Sequence, residues 1–191
     1  ALNLVINVFG GVLSFLAVVI ISFYLSVMKR GIGGFIESVV PEKYEGYIIG
    51  LWKRTEHKVG RWFQGQLLLA LSVGLVVYVG LALFGIKYAL LLGILAMALE
   101  IIPLAGPVIA AIPGVVLAFA QNPTVGLWVL IFYIAVQQIE SHLLAPLILG
   151  KSLGLNPITV VIAILIGGKM AGILGIILSV PIAVVIVEIL D

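Results

Sequence analysis

The side chains able to do chemistry in this sequence are few and concentrated. Gln137, Gln138, Glu140, Ser141 and His142 follow one another closely, with Pro146 just beyond, in a chain that is otherwise mostly hydrocarbon. A carboxylate can attract a cation or pass a proton, an imidazole can exchange protons, and amides can hold a polar solute by hydrogen bonds. A second acid, Glu100, stands about a dozen residues into an apolar run, just before Pro103. Placing a charge inside a bilayer costs roughly a few kcal/mol or more, so such residues mark a site or a pathway by default. The alternative for each is a helix end that has left the bilayer, with its polar group in water.

Other chemistries lack their parts. Asp occurs once, at position 191, and Cys is absent. His57 and His142 are far apart and form no HExxH pattern. A Ser/His triad, an Asp pair and a zinc site are therefore not expected, and the sequence reads as a non-enzyme with no metal and no cofactor.

The elements that must position these residues follow from composition. Of the 191 residues 63% are hydrophobic and 9% charged, with a mean hydropathy of +1.36. A water-soluble domain cannot hide that much apolar surface. In lipid the backbone must satisfy its own hydrogen bonds, which leaves helices or a closed barrel. The apolar runs are long and lack period-two alternation, so the expected fold is all-α, a polytopic integral membrane protein. Its partners are then the lipid bilayer and a small polar solute or a monovalent cation or proton, with no nucleic acid and with a homo-oligomer left open.

Residues 4–28 are long enough to cross and end at Lys29-Arg30-Gly31. Seven of the ten Lys and Arg residues fall between Lys29 and Arg61. The positive-inside rule places that stretch, and by parity the C-terminus, in the cytoplasm. A span that begins at the first residue, without Met, reads as the continuation of a longer chain. Over 35–63, Tyr44, Ile48, Trp52, Thr55, Val59 and Trp62 recur at helical spacing with charges between them, which predicts an amphipathic helix in the headgroup layer with Pro41 near its start. The expected organisation is a transmembrane helix over 1–30, an interfacial segment over 31–64 and a core of broken helices over 65–191.

Within that core 66–84 crosses the membrane, and beyond Tyr88 the apolar runs shorten and fill with Pro and Gly. Pro103, Gly106, Pro107, Pro146, Pro157, Gly167 and Gly168 are the expected break points, with Pro181 interrupting the last segment. Helices of about 11 to 14 residues reach only ~17 to 21 Å, short of a full crossing, so the stretches 88–120 and 157–190 read as broken or re-entrant hairpins. Pro103 is expected to free the Leu99 carbonyl toward a cavity. Lys169 reads as a snorkelling anchor or as a counter-charge to a glutamate. Glu100-x-x-x-Leu-Ala-Gly-Pro and Glu140-x-x-x-Leu-Ala-Pro form a weak echo forty residues apart, of the kind that marks corresponding segments in transporters.

Six motifs occur in order: EIIPLAGP at 100–107, QQIE at 137–140, LAP at 144–146, GKSLGLNP at 150–157, GGKMAGILG at 167–175 and SVP at 179–181. Together they resemble the autoinducer-2 exporter family of permeases over about 95–185, while residues 1–94 match only in layout. The resemblance implies a bacterial or archaeal inner-membrane, multi-pass permease. Such a protein exports a small solute or exchanges cations and protons by alternating access. The expected solute and ion residues are Glu100, Gln137, Gln138, Glu140 and His142, around a midplane site. A passive channel and a non-transporting scaffold are the competing readings.

Overall fold

The computed structural model describes residues 17, 20, 22–24, 31–103, 105–149 and 157–190. The expected first span, 4–28, falls outside the described residues apart from five helical positions, as do Lys29, Arg30, Leu104 and the 150–156 loop with Lys151. Among the described residues every element is helical and there is no strand. The chain forms two compact units, 1–53 and 54–191.

Proline decides where the first helices meet. Helix α1 (Gly31–Val39) stops before Pro41, and α2 (Glu42–Leu83) starts just after it. Pro41 has no N–H and disfavours helical geometry at Val40, so the expected single helix over 35–63 divides here. Its later part does not end at residue 64. It runs without a break into the apolar stretch, giving a helix of 42 residues, about 63 Å long at the helical rise. Along it Thr55 and Trp62 are buried, whereas Arg54, Glu56 and Arg61 are exposed.

The second unit is built from antiparallel helices whose register can be read from glycine contacts. A turn with Gly85 at φ 69° and Tyr88 at φ 65° joins α2 to α3 (Ala89–Leu99). These two pack so closely that a Cβ on Gly74 would lie 2.7 Å from Met97 Cβ, and one on Gly93 2.6 Å from Tyr78 Cβ. Helix α4 (Ala105–Gln121) returns beside α3. Then α5 (Pro123–Ile139) starts at Asn122, whose side chain caps the Thr124 N–H at 2.8 Å. Gly114 on α4 abuts the Tyr133 hydroxyl on α5, and Gly80 on α2 abuts the Phe132 ring. The buried core is accordingly one cluster of Leu69, Val73, Val77, Leu81, Ala110 and Val129 with their neighbours.

At Pro146 the helix is interrupted, as expected, without ending. A π-helical turn (Glu140–Leu144) carries α5 into the short α6 (Ala145–Ile148). The Ala145 N–H reaches back to the Glu140 carbonyl, the wider spacing that a nearby missing proline donor favours. Pro113 and Pro181 are likewise held inside helices, as lipid-facing helices tolerate when neighbours re-satisfy the freed groups.

Glu42–Leu83, Pro123–Ile148 and Ile158–Leu190 are long and apolar enough to cross a membrane. The last is not straight. Helix α7 (Pro157–Leu190) breaks at Ala171 (φ −137°, ψ 18°) and Gly172 (φ 59°, ψ −135°). Positive φ at 172 is a position that glycine accepts without strain. Beyond it the chain folds back, so that the Gly167 backbone lies against that of Gly175, and a Cβ on Gly168 would touch Ile176. The break thus sits at 171–172, and Gly167 and Gly168 form the packing face beside it. At the far end of α7, Glu188 is buried and accepts from Arg54 Nε at 2.6 Å and from Lys58 Nζ, one turn apart on α2.

Candidate functional site

Both intramembrane acids stand where a helix stops being regular. Glu100 caps the C-terminus of α3, its N–H bonded to the Ala96 carbonyl. Glu140 opens the π-turn after α5. Since α4 runs back from Glu100 and α5 returns antiparallel to α4, the two ends arrive at one level. Only 3% of Glu100 and 8% of Glu140 is exposed, and the two side chains lie close enough for their carboxyl groups to interact.

The described surroundings supply no positive charge. Among the described residues no cation pairs with either acid, the ion pairs there being those of Glu188. Glu100 Oε2 is buried and meets no hydrogen-bond donor. Gln137 Nε2 approaches Glu140 Oε2 at 3.5 Å, the far limit of a hydrogen bond. Lys169 is exposed beside the reversal of α7 and pairs with neither acid, which removes its reading as a counter-charge.

The turn between α3 and α4 is closed rather than open. The Leu99 carbonyl, expected to face a cavity, accepts from the Ile102 N–H at 2.9 Å. Gly106 packs directly upon that same carbonyl, leaving no room for a Cβ. Pro103 lies in this turn, and Pro107 falls in the first turn of α4, where a missing donor costs little.

Of the expected site residues, Glu100, Gln137 and Glu140 come together. Gln138 and His142 do not join them: both are exposed, and His142 Nδ1 lies 3.0 Å from the Gln138 carbonyl and 3.0 Å from Ser141 Oγ. Pro146 is exposed on α6, and Pro157 begins α7.

Gln66 was not among the expected residues. It is buried on α2 and donates through Nε2 to the Glu100 carbonyl at 2.7 Å. That bond sets the level of the acid pair, at the end of the apolar part of α2 nearer Arg61 and away from the middle of 66–83. Gln66 lies five positions after Arg61, about 7.5 Å along the axis. We expect Gln66→Leu to leave a buried carbonyl unpaired and to cost about 1–3 kcal/mol of stability, read as a lower thermal midpoint in detergent.

Beside the pair lies a cavity of about 410 Å³, walled by α2, α3, α4 and α5, with Gln137 and Glu140 in its lining. Tyr133 contributes its ring, while its hydroxyl is buried without a partner against Gly114.

Residues 1–191 match the family described as AI-2E family transporter. The chain belongs to this family. YueF of Bacillus subtilis (strain 168) is 34% identical over 183 residues, which are 94% of this chain and 50% of that protein. A Thermotoga maritima protein is 34% identical over 186 residues, 95% of this chain and 57% of its own. Both bear transport-protein names. The AI-2 transport protein TqsA of Escherichia coli (strain K12) is 33% identical over 119 residues, 62% of this chain and 35% of TqsA. The chain spans about half the length of the curated relatives that it matches along most of its own. It is a multi-pass membrane protein of the AI-2E family of transporters.

Proposed function

We propose that the protein moves its solute by proton-coupled alternating access, with Glu100 and Glu140 as the coupling pair. The observation that carries this is the closeness of two buried carboxyl groups with no cation beside them among the described residues. Two like charges that close cannot both persist in a low-dielectric site, so the pair shares a proton and gives it up when one carboxyl moves or meets another cation. Each acid sits on an irregular turn, between regular helices. Small rotations of α3 against the π-turn would therefore part the carboxyls without unfolding either helix.

The same reading assigns the remaining parts. Gln137 orients the solute beside Glu140, and Gln138 and His142 serve the outer face of the same turn. The reversal at 171–172 supports a hairpin that enters and returns on one side, as does the short α3 for the 89–121 pair. The charged part of α2, with Tyr44 exposed and Trp52 half-buried, suits a cytoplasmic interfacial helix. The pair then lies near the cytoplasmic end of the apolar layer, level with Gln66, and the solute passes it before the middle of the membrane. A passive channel would need no paired acids.

The test is flux through the full-length protein in proteoliposomes under an imposed pH gradient. The carrier reading expects flux that follows the gradient and vanishes when it is collapsed. Conduction independent of the gradient would refute it in favour of a channel.

A further inference from the structure

The cavity beside the acid pair has one polar end. Its lining runs from Glu140 back to Leu130 along α5, and from Pro107 to Val116 along α4. Nine to ten helical steps make it about 14 to 15 Å long. Gln137 and Glu140 stand at one end, and the walls beyond are Val, Ala, Ile and Leu side chains with the Tyr133 ring. The Tyr133 hydroxyl does not serve the chamber, since it is turned against Gly114. Val108, Ile112 and Ile134 in the lining are exposed, so the chamber opens on the outer surface of α4 and α5.

Each class of ligand meets this shape differently. A small polyhydroxylated solute would leave its hydroxyls unpaired against aliphatic walls, a cost of roughly 1–3 kcal/mol for each by mutational measures. An anion would be repelled by the carboxyls. A neutral hydrocarbon would fill the walls yet give nothing to Glu140. A monocation with an apolar body matches both ends, its N–H groups making charge-assisted hydrogen bonds to the carboxylate.

We propose that this chamber binds an amphipathic organic monocation, a protonated amine seated at Glu140 with one elongated apolar body lying between α4 and α5. This names the substrate class of the transport site and rests on the reading of that site given above. Binding alone does not require transport, so the two can fail separately.

The test is saturable binding of radiolabelled 4-phenylbutylammonium to the full-length protein in nanodiscs, with partition into empty nanodiscs subtracted. Wild type is expected to bind, with 4-phenylbutanol and methylammonium each competing at least about tenfold more weakly. Glu140→Gln, of the same shape, is expected to lose about tenfold or more, as are Ala110→Leu and Val115→Phe, which fill the chamber. Equal competition by the alcohol, equal binding by Glu140→Gln, or no saturable binding in wild type overturns the proposal. A tightly held lipid chain that the amine cannot displace also overturns it. The competition series needs no variant, so misfolding of a mutant cannot mask the answer. Saturable amine binding by a protein without gradient-driven flux would keep the ligand class and remove the transport reading. Gradient-driven flux without amine binding would do the reverse.

Discussion

Glu140→Gln and Glu100→Gln are each expected to reduce flux driven by a pH gradient to the background of protein-free liposomes. An amide has the shape of the acid and can donate to the remaining carboxylate, so the contact and the fold survive. What is lost is the exchangeable proton. The surviving carboxylate also gains a permanent donor, which holds the turn of α3 against the π-turn. Coupling should therefore fail in either variant alone, and the double variant should be no worse than the singles, because the pair acts as one unit. A scaffold would tolerate both changes, and a channel would keep conducting. In Gln138→Ala and His142→Ala both carboxyls remain, so flux should still follow the gradient even where its rate changes.

The second large effect concerns Gly106. A Cβ there would overlap the Leu99 carbonyl oxygen and lie 2.7 Å from its carbon. Backbone cannot retreat as a flexible side chain can, so Gly106→Val is expected to cost at least about 3 kcal/mol, at the upper end of overpacking. The loss should appear as a large drop in thermal midpoint, followed by size exclusion in detergent. It should also carry away flux, since the same turn places Glu100. Gly60→Ala in α2 is the matched comparison: nothing lies within 4 Å of its Cβ position. That change should be neutral or stabilising by up to about 1 kcal/mol through helix propensity. Equal stability of the two variants would mean that the α3–α4 reversal is not packed on its glycine.

The two acids were legible in the sequence because ionisable groups inside long apolar runs are costly and stand out. Their meeting was not. Only the weak echo around Glu100 and Glu140 hinted that the two stretches correspond, and an echo of Leu, Ala and Pro carries little weight in so apolar a chain. The register that joins them comes from Gly74 against Met97, Gly114 against Tyr133 and Gly80 against Phe132, contacts with no local signature. Gln66 escaped because a glutamine at the edge of a span is ordinary, and its partner is a backbone carbonyl 34 positions away.

The exact form of the breaks was hidden for a related reason. Pro146 and Pro181 remove one donor each, and whether that ends a helix depends on neighbours the sequence does not name. At Pro146 the outcome is a π-turn. The true reversal in the last segment falls at Gly172, where φ is 59°, while Gly167 and Gly168 are needed for close approach. All three are glycine, and composition cannot say which one turns and which ones pack. The helical class itself, by contrast, followed from hydropathy alone, since lipid admits few other ways to satisfy a backbone.

The central claim is that Glu100 and Glu140 share a proton, and infrared difference spectroscopy reads this directly through the carbonyl stretch of a protonated carboxylic acid. The full-length protein in lipid at neutral pH is predicted to show one such band, lost in Glu100→Gln and in Glu140→Gln and shifted in heavy water. Two fully ionised carboxylates, with no acid band sensitive to either substitution, would contradict the account.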